Sequence, residues 1–252
     1  QANGSVLLRY GETVVLATAV ISAKERQGLD YFPLTVDYEE RFYAAGEILG
    51  SRFLRREGRP SEEAILTSRL IDRTIRPLFD QKIRNETQVT ATAMAIDGEN
   101  DSDIVAIIAA SLALGTSNIP WNGPIGAVRI GHPGFKANPT YVEREKSNLD
   151  LIICGKDGQI NMMEAEANEV PEKIVSEAFD YAVKEIGKIQ KWQEKIIKEI
   201  GKPKRTIAVQ KEPEKLKEAF KKHFHKRLED AIFEKRPASD LSEKTGLNLA
   251  IQ

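Results

Sequence analysis

Along the first part of the chain, apolar positions fall in short β-branched runs rather than at helical spacing. Ser5–Leu8 and Thr13–Ile21 are two such runs, and Tyr10-Gly11-Glu12 between them predicts a tight turn joining two strands. Asp30–Val36 predicts a further strand. At Pro60-Ser61-Glu62-Glu63 the pattern changes, because Ser61 can cap a helix and two acids occupy its positive first turn. Ile65, Leu66, Leu70, Ile71, Ile75 and Leu78 then recur at steps of three and four, which predicts a helix with one buried face, ended by Pro77. Thr87–Ile96 alternates Val89, Ala91, Ala93 and Ala95 with Thr and Met, a strand with one small-residue face. Ser102-Asp103 caps a second helix, Ile104–Leu114, which is apolar or alanine all round and so is buried on several sides.

Ile125–Ile130, Asp150–Cys154 and Gln159–Ala165 predict three more strands. Pro171-Glu172 opens a long amphipathic helix whose pattern runs from Ile174 to Ile200 and stops at Gly201, before Pro203. Strands followed by buried helices, twice over, predict an α+β core with helices on one side of the sheet, over residues 1–201. Residues 202–213, with two prolines and mixed charge, are the expected linker. Glu214–Lys235 has helical spacing broken by Pro237, and residues 214–252 are expected to begin a truncated helical domain.

Composition narrows the function class. Hydrophobic residues make up 41% and charged residues 30%, as in an ordinary globular protein, and no apolar run reaches the roughly 20 residues that span a bilayer. No charged-then-apolar signal peptide stands at the start, and the protein is expected to be cytoplasmic. A formal net charge of −1 gives no global field for nucleic acid, so any such contact is local. One cysteine, Cys154, excludes an internal disulfide and a thiolate metal cluster, and three scattered histidines make no metal site.

Local charge is concentrated at Gly50–Phe79, GSRFLRREGRPSEEAILTSRLIDRTIRPLF. Arg52, Arg55, Arg56 and Arg59 share one short loop with Phe53 and lead into the capped helix. A guanidinium is planar, forked and permanently charged, so it grips phosphate oxygens two at a time. An aromatic ring among such groups can stack on a base, worth about 1–3 kcal/mol per base. The loop therefore reads either as a site for a nucleic-acid backbone or as a set of arginines paired with acids. Arg69, Asp72, Arg73 and Arg76 on the helix read first as a structural ion network. Asp97, Glu99, Asp101 and Asp103 have oxygen ligands for Mg²⁺, but a solvated acidic turn with an N-cap describes them better. Lys221–Arg227 reads as a solvated basic helix face, and Cys154 as a small core residue.

FLRREGRPSE followed by ILTSRLIDRTIRPLF resembles the polynucleotide phosphorylase family. Further matching segments run in order along the chain at Tyr10–Val15, Asp30–Val36, Tyr43–Gly46 and Ile119–Gly126. The resemblance implies a ribonuclease PH-like β-α-β core, the first of two in the family's polypeptide, followed by the start of a helical region. It implies a 3′-to-5′ phosphorolytic exoribonuclease that degrades single-stranded RNA to nucleoside diphosphates. Phe53, Arg55, Arg56 and Arg59 then become RNA-binding residues at the RNA entrance. It also implies inorganic phosphate as co-substrate, Mg²⁺ held outside this fragment, a homotrimeric ring, and RNA-degradation-complex proteins as further partners. No catalytic and no metal residue of the family falls within residues 1–252. The family commonly has two consecutive phenylalanines before the arginines, where this chain has Phe53-Leu54. The rival function is a non-catalytic RNA-binding or scaffold module.

Overall fold

The computed structural model describes residues 2–48, 58–209 and 214–233. Two compact units result, residues 1–209 and 210–252.

The first unit begins with β1 (Gly4–Tyr10) and β2 (Thr13–Glu25), antiparallel from Gly4↔Ala19 to Tyr10↔Thr13 around the expected turn. Gly11 in that turn has φ +61°, a conformation that disfavours any side chain. β4 (Asn85–Ala95) pairs with β2, and β3 (Leu34–Glu40) completes the sheet in the order β1-β2-β4-β3, parallel to β4. The second sheet, β6-β5-β7-β8, is antiparallel throughout and is built from β5 (Gly126–His132), β6 (Lys136–Ala137), β7 (Leu149–Lys156) and β8 (Gln159–Ala167).

Side-chain alternation on the two sheets places the helices. Val15, Ala17 and Ala19 on β2 and Val89, Ala91 and Ala93 on β4 are fully buried, and α2 (Ser102–Thr116) packs against that face. These small residues let the helix approach closely. A Cβ added to Gly4 on β1 would lie 2.1 Å from the Ala113 carbonyl oxygen. Every residue of α2 is buried, as its mostly apolar sequence requires. On β5 and β7, Ala127, Ile152 and Cys154 join this core, whereas Val128, Ile130, Leu151 and Ile153 face α4 (Glu172–Ile200). The layers are thus sheet, helices, sheet and helix. Burying each large apolar side chain in this core contributes about 1.5–3 kcal/mol.

One polar network crosses the layers. Ser111 Oγ on α2 donates to Gln193 Oε1 at 2.7 Å and accepts from the Ile125 N–H at 3.0 Å, and Gln193 Nε2 donates to the Ile125 carbonyl at 2.7 Å. Gln193 is 0% exposed, so this closed set of bonds is what permits its burial and fixes the register of α4 against α2.

Three expectations need correction. The third strand starts at Leu34 rather than Asp30, because Pro33 has no N–H for a ladder and Phe32 turns into the core against Phe79, with ring centroids 4.8 Å apart. On α1 (Glu62–Ile75), Leu70, Ile71 and Ile75 are buried as the spacing predicts, but Ile65 and Leu66 are exposed and Ala64 takes the buried place. The helical spacing after Glu214 resolves into two helices, α5 (Glu214–His223) and α6 (His225–Phe233), broken at Phe224. The short α3 (Tyr141–Arg144) between β6 and β7 was not expected. In the second unit, Phe220 and Phe224 stack at 5.9 Å.

Residues 202–209 have neither helix nor strand, yet they are bound along the first unit. The Lys202 and Arg205 N–H groups donate to Thr116 O and Asn118 O. Lys204 Nζ donates to the carbonyls of Leu114, Gly115 and Ser117 at 2.7, 3.0 and 2.8 Å. A cation at the negative end of α2 thereby satisfies carbonyls that the helix leaves open.

Candidate nucleic-acid interface

Phe53, Arg55 and Arg56 lie outside the described residues. Arg59 lies within them, exposed, two residues before the α1 N-cap. That cap forms as its sequence dictates: Ser61 Oγ accepts the Ala64 N–H at 3.1 Å, and Ser61 O accepts the Ile65 N–H at 3.0 Å. Glu62 and Glu63 occupy the first turn and offset the positive helix end. Attraction of phosphate to this entrance therefore falls to the guanidinium groups.

The arginines of α1 divide. Arg76 Nε and Nη2 grip Asp72 at 2.6–3.1 Å, and its Nη2 also donates to Leu34 O at 3.0 Å. Arg76 thus ties α1 to the start of β3, which is the structural role expected. Arg69 and Arg73 are exposed, and among the described residues no ion pair holds either one. The expected network covers Asp72 and Arg76 and leaves these two out.

Beside the α1 N-terminus a cleft of about 400 Å³ runs between α1, the start of α2 and the second sheet. Seven carboxylates line it, from Glu40, Glu63, Asp101, Asp103, Asp150, Glu164 and Glu166, against two guanidinium groups, from Arg129 and Arg144. Burial, and then the neighbouring Glu63, push the Glu40 carboxyl above its ordinary range. A phosphate entering here would meet excess negative charge.

The floor of the cleft is an ion cluster that sequence reasoning missed. Arg129 Nη1 donates to Asp150 at 2.6 and 2.7 Å, and its Nη2 lies 2.6 Å from Asp103 Oδ2 and 3.1 Å from Asp101 Oδ2. Arg144 pairs with Asp101 and, at 3.0 Å, with Asp150. Burial and Asp101 push the Asp103 carboxyl upward, and Arg129 opposes them. The available signal was a lone arginine within the apolar run of β5, which is too costly to bury without acidic partners.

These carboxylates do not fit a Mg²⁺ site. Asp101, Asp103 and Asp150 are committed to guanidinium groups. Asp97 accepts N–H bonds from Glu12, Glu99 and both nitrogens of Asn100 at 2.7–3.0 Å. Burial alone would raise its pKa, but these four donors outweigh burial and hold it well below the carboxylate range. Asp101 caps α2 by accepting the Asp103 N–H, where Ser102-Asp103 was the expected cap, and both of those residues lie inside the helix. Cys154 is fully buried, and burial pushes its thiol up to about 12, as suits an inert core residue.

Residues 1–120 match the RNase PH family, described as 3′ exoribonuclease family, domain 1. The chain is 49% identical over 234 residues to the polyribonucleotide nucleotidyltransferase of Heliobacterium modesticaldum, covering 92% of this chain and 33% of that protein. With the Bacillus subtilis protein of the same name it shares 49% identity over 223 residues, 88% of this chain and 31% of the relative. Among solved structures, the Archaeoglobus fulgidus exosome with RNA bound to the active site is similar at TM-score 0.58 and 21% identity, covering 77% of this chain and 84% of that one. Rice (Oryza sativa) Rrp46 is similar at TM-score 0.63 and 14% identity, over 78% of this chain and 89% of that one. These two likenesses establish the ribonuclease PH-like fold. Residues 1–120 carry domain 1 of the 3′ exoribonuclease family, and the chain spans about a third of the length of the polyribonucleotide nucleotidyltransferases it matches.

Proposed function

We propose that this chain is the first ribonuclease-PH-like core of a 3′-to-5′ phosphorolytic exoribonuclease, which shortens single-stranded RNA with inorganic phosphate and releases nucleoside diphosphates. The observation that carries this reading is 49% identity over 92% of the chain to a polyribonucleotide nucleotidyltransferase. Within the enzyme, Arg55, Arg56 and Arg59 grip RNA phosphates and Phe53 stacks on a base, which holds the strand without reading its sequence. The complete enzyme is a cytoplasmic homotrimer, with RNA-degradation-complex proteins as further partners. Mg²⁺ belongs to it as well, with ligands outside residues 1–252. The acidic cleft supports this division of labour, since seven carboxylates against two guanidinium groups suit neither an attacking phosphate nor a transferring phosphoryl group.

The same cleft favours the second reading for the chain taken alone, a module that binds RNA and performs no chemistry. The purified 252-residue chain, given poly(A), inorganic phosphate and Mg²⁺, should retain RNA and release no nucleoside diphosphate. Sustained release by the pure chain would overturn the assignment of the chemistry to another part of the enzyme.

A further inference from the structure

β8 ends the second sheet, and among the described residues β7 is its one strand partner. Just past β8 the Asn168 N–H donates to Asn148 O at 2.9 Å, on the β7 side. Backbone groups alternate in direction along an antiparallel strand, so Met163, Ala165 and Ala167 aim their N–H and C=O groups away from β7. All three residues are exposed, and no hydrogen bond from another described element reaches their backbone. A sheet edge is ordinarily blunted by lysine, proline or a bulge. β8 contains neither lysine nor proline, and its register shift lies opposite Cys154 and Gly155, which leaves Met162–Ala167 regular.

Charge selects what fits this edge. Glu164 and Glu166 stand opposite Ile152 and Asp150 and line the acidic cleft. Asp150 is held by Arg129 and Arg144, whereas among the described residues no ion pair holds Glu164 or Glu166. A second copy laying its own β8 here would set these acids beside the same acids, and like charges across a strand pair are unfavourable. An RNA strand would bring phosphates to them. A strand with lysine or arginine at every second position meets them with opposite charge, and its other positions lie against Met163, 60% exposed, and the two alanines. We propose that the free edge of β8 takes up an extended basic segment of a partner protein as an added antiparallel strand, with its basic side chains beside Glu164 and Glu166 at the acidic cleft.

Short peptides alternating lysine and valine test this on the full 252-residue chain, followed by hydrogen exchange at the Met163, Ala165 and Ala167 amides. In an antiparallel pairing the lysines fall opposite Glu164 and Glu166, and the valines make the main-chain bonds. The plain peptide should slow exchange at those three amides to saturation, while the Glu164 and Glu166 amides, already turned to β7, stay as they were. Methylating the valine amides leaves the charge unchanged and should weaken binding by at least about ten-fold, whereas methylating the lysine amides should not. Glu164→Gln combined with Glu166→Gln should weaken the plain peptide and flatten its salt dependence. Ala165→Pro, which removes an outward N–H and none toward β7, should abolish the response. Equal binding of the two methylated peptides would reduce the site to an acidic patch and overturn the proposal, as would unchanged affinity in the double glutamine variant. Slow exchange at the three amides that rises with the concentration of the chain alone would put a second copy on the edge and overturn it as well. If the proline variant does not fold, the contrast between the two methylated peptides decides alone.

Discussion

Arg129 Nη2 lies 2.6 Å from Asp103 Oδ2 and joins the middle of β5 to the first turn of α2, with both side chains 8% exposed. Removing one partner of a buried pair costs more than removing one of a surface pair, because the remaining charge is stranded away from water. Arg129→Met is therefore expected to cost about 3–5 kcal/mol. Arg9→Met, which breaks the exposed pair with Glu12, is expected to cost at most about 1 kcal/mol. Urea unfolding midpoints of the two variants check this ordering, and equal losses would mean that Arg129 is solvated.

Lys204 is the clasp of residues 202–209. Burial lowers its pKa to about 8, while three carbonyl acceptors at the α2 C-terminus favour its charged form. Lys204→Met keeps most of the stem and removes the donors. It should destabilise the first unit by about 1–3 kcal/mol, the worth of hydrogen bonds made by a charged group. It should also speed hydrogen exchange at the Lys202 and Arg205 amides, which donate to Thr116 O and Asn118 O. Protection unchanged at both amides would show that the strap holds without its lysine.

Asp97 sets a pH dependence. Its folded pKa lies below its unfolded value of about 3.9, so its contribution is complete above that value and is lost as pH falls toward the folded pKa. Asp97→Asn should be less stable than the parent at pH 7, and the gap should narrow below about pH 4. Thermal melts of both proteins from about pH 7 to about pH 3 measure it. A gap of constant size would place the stabilisation in the turn's shape rather than in the carboxylate's charge.

Local chemistry in this chain was legible, and its long-range pairing was not. Tyr10-Gly11-Glu12 marked the first hairpin, Ser61 the α1 cap, and the mostly apolar run after Asp103 a helix buried all round. Each of these is decided within about a turn of chain. The start of β3 was misread because Phe32 looks like a strand residue until Phe79, far along the sequence, claims it for the core. Ile65 and Leu66 fit the helical period but face outward, since spacing shows that a stripe exists without showing how much of it is covered. Arg129, Gln193 and Lys204 carry no local signature, and their roles depend on partners that only the fold supplies. For the candidate site, sequence pointed to the arginine loop. The structure has Arg59 exposed two residues before the α1 cap, as read from the sequence, and adds an acidic cleft that no motif announced.

The most direct measurement is the salt dependence of single-stranded oligoadenylate binding, compared between the parent chain and a variant with Arg55, Arg56 and Arg59 all replaced by alanine. Each phosphate contact contributes a slope of about 0.7 in log affinity against log salt for single strands, so loss of all three should flatten the slope by about 2. Affinity should fall together with the slope, by similar factors for oligouridylate, because phosphates carry no sequence information. The α1 helix should keep its content, since Ser61 and the turn it caps are untouched. Unchanged affinity and unchanged slope in the triple variant would contradict RNA binding by this loop and leave its arginines as partners for acids.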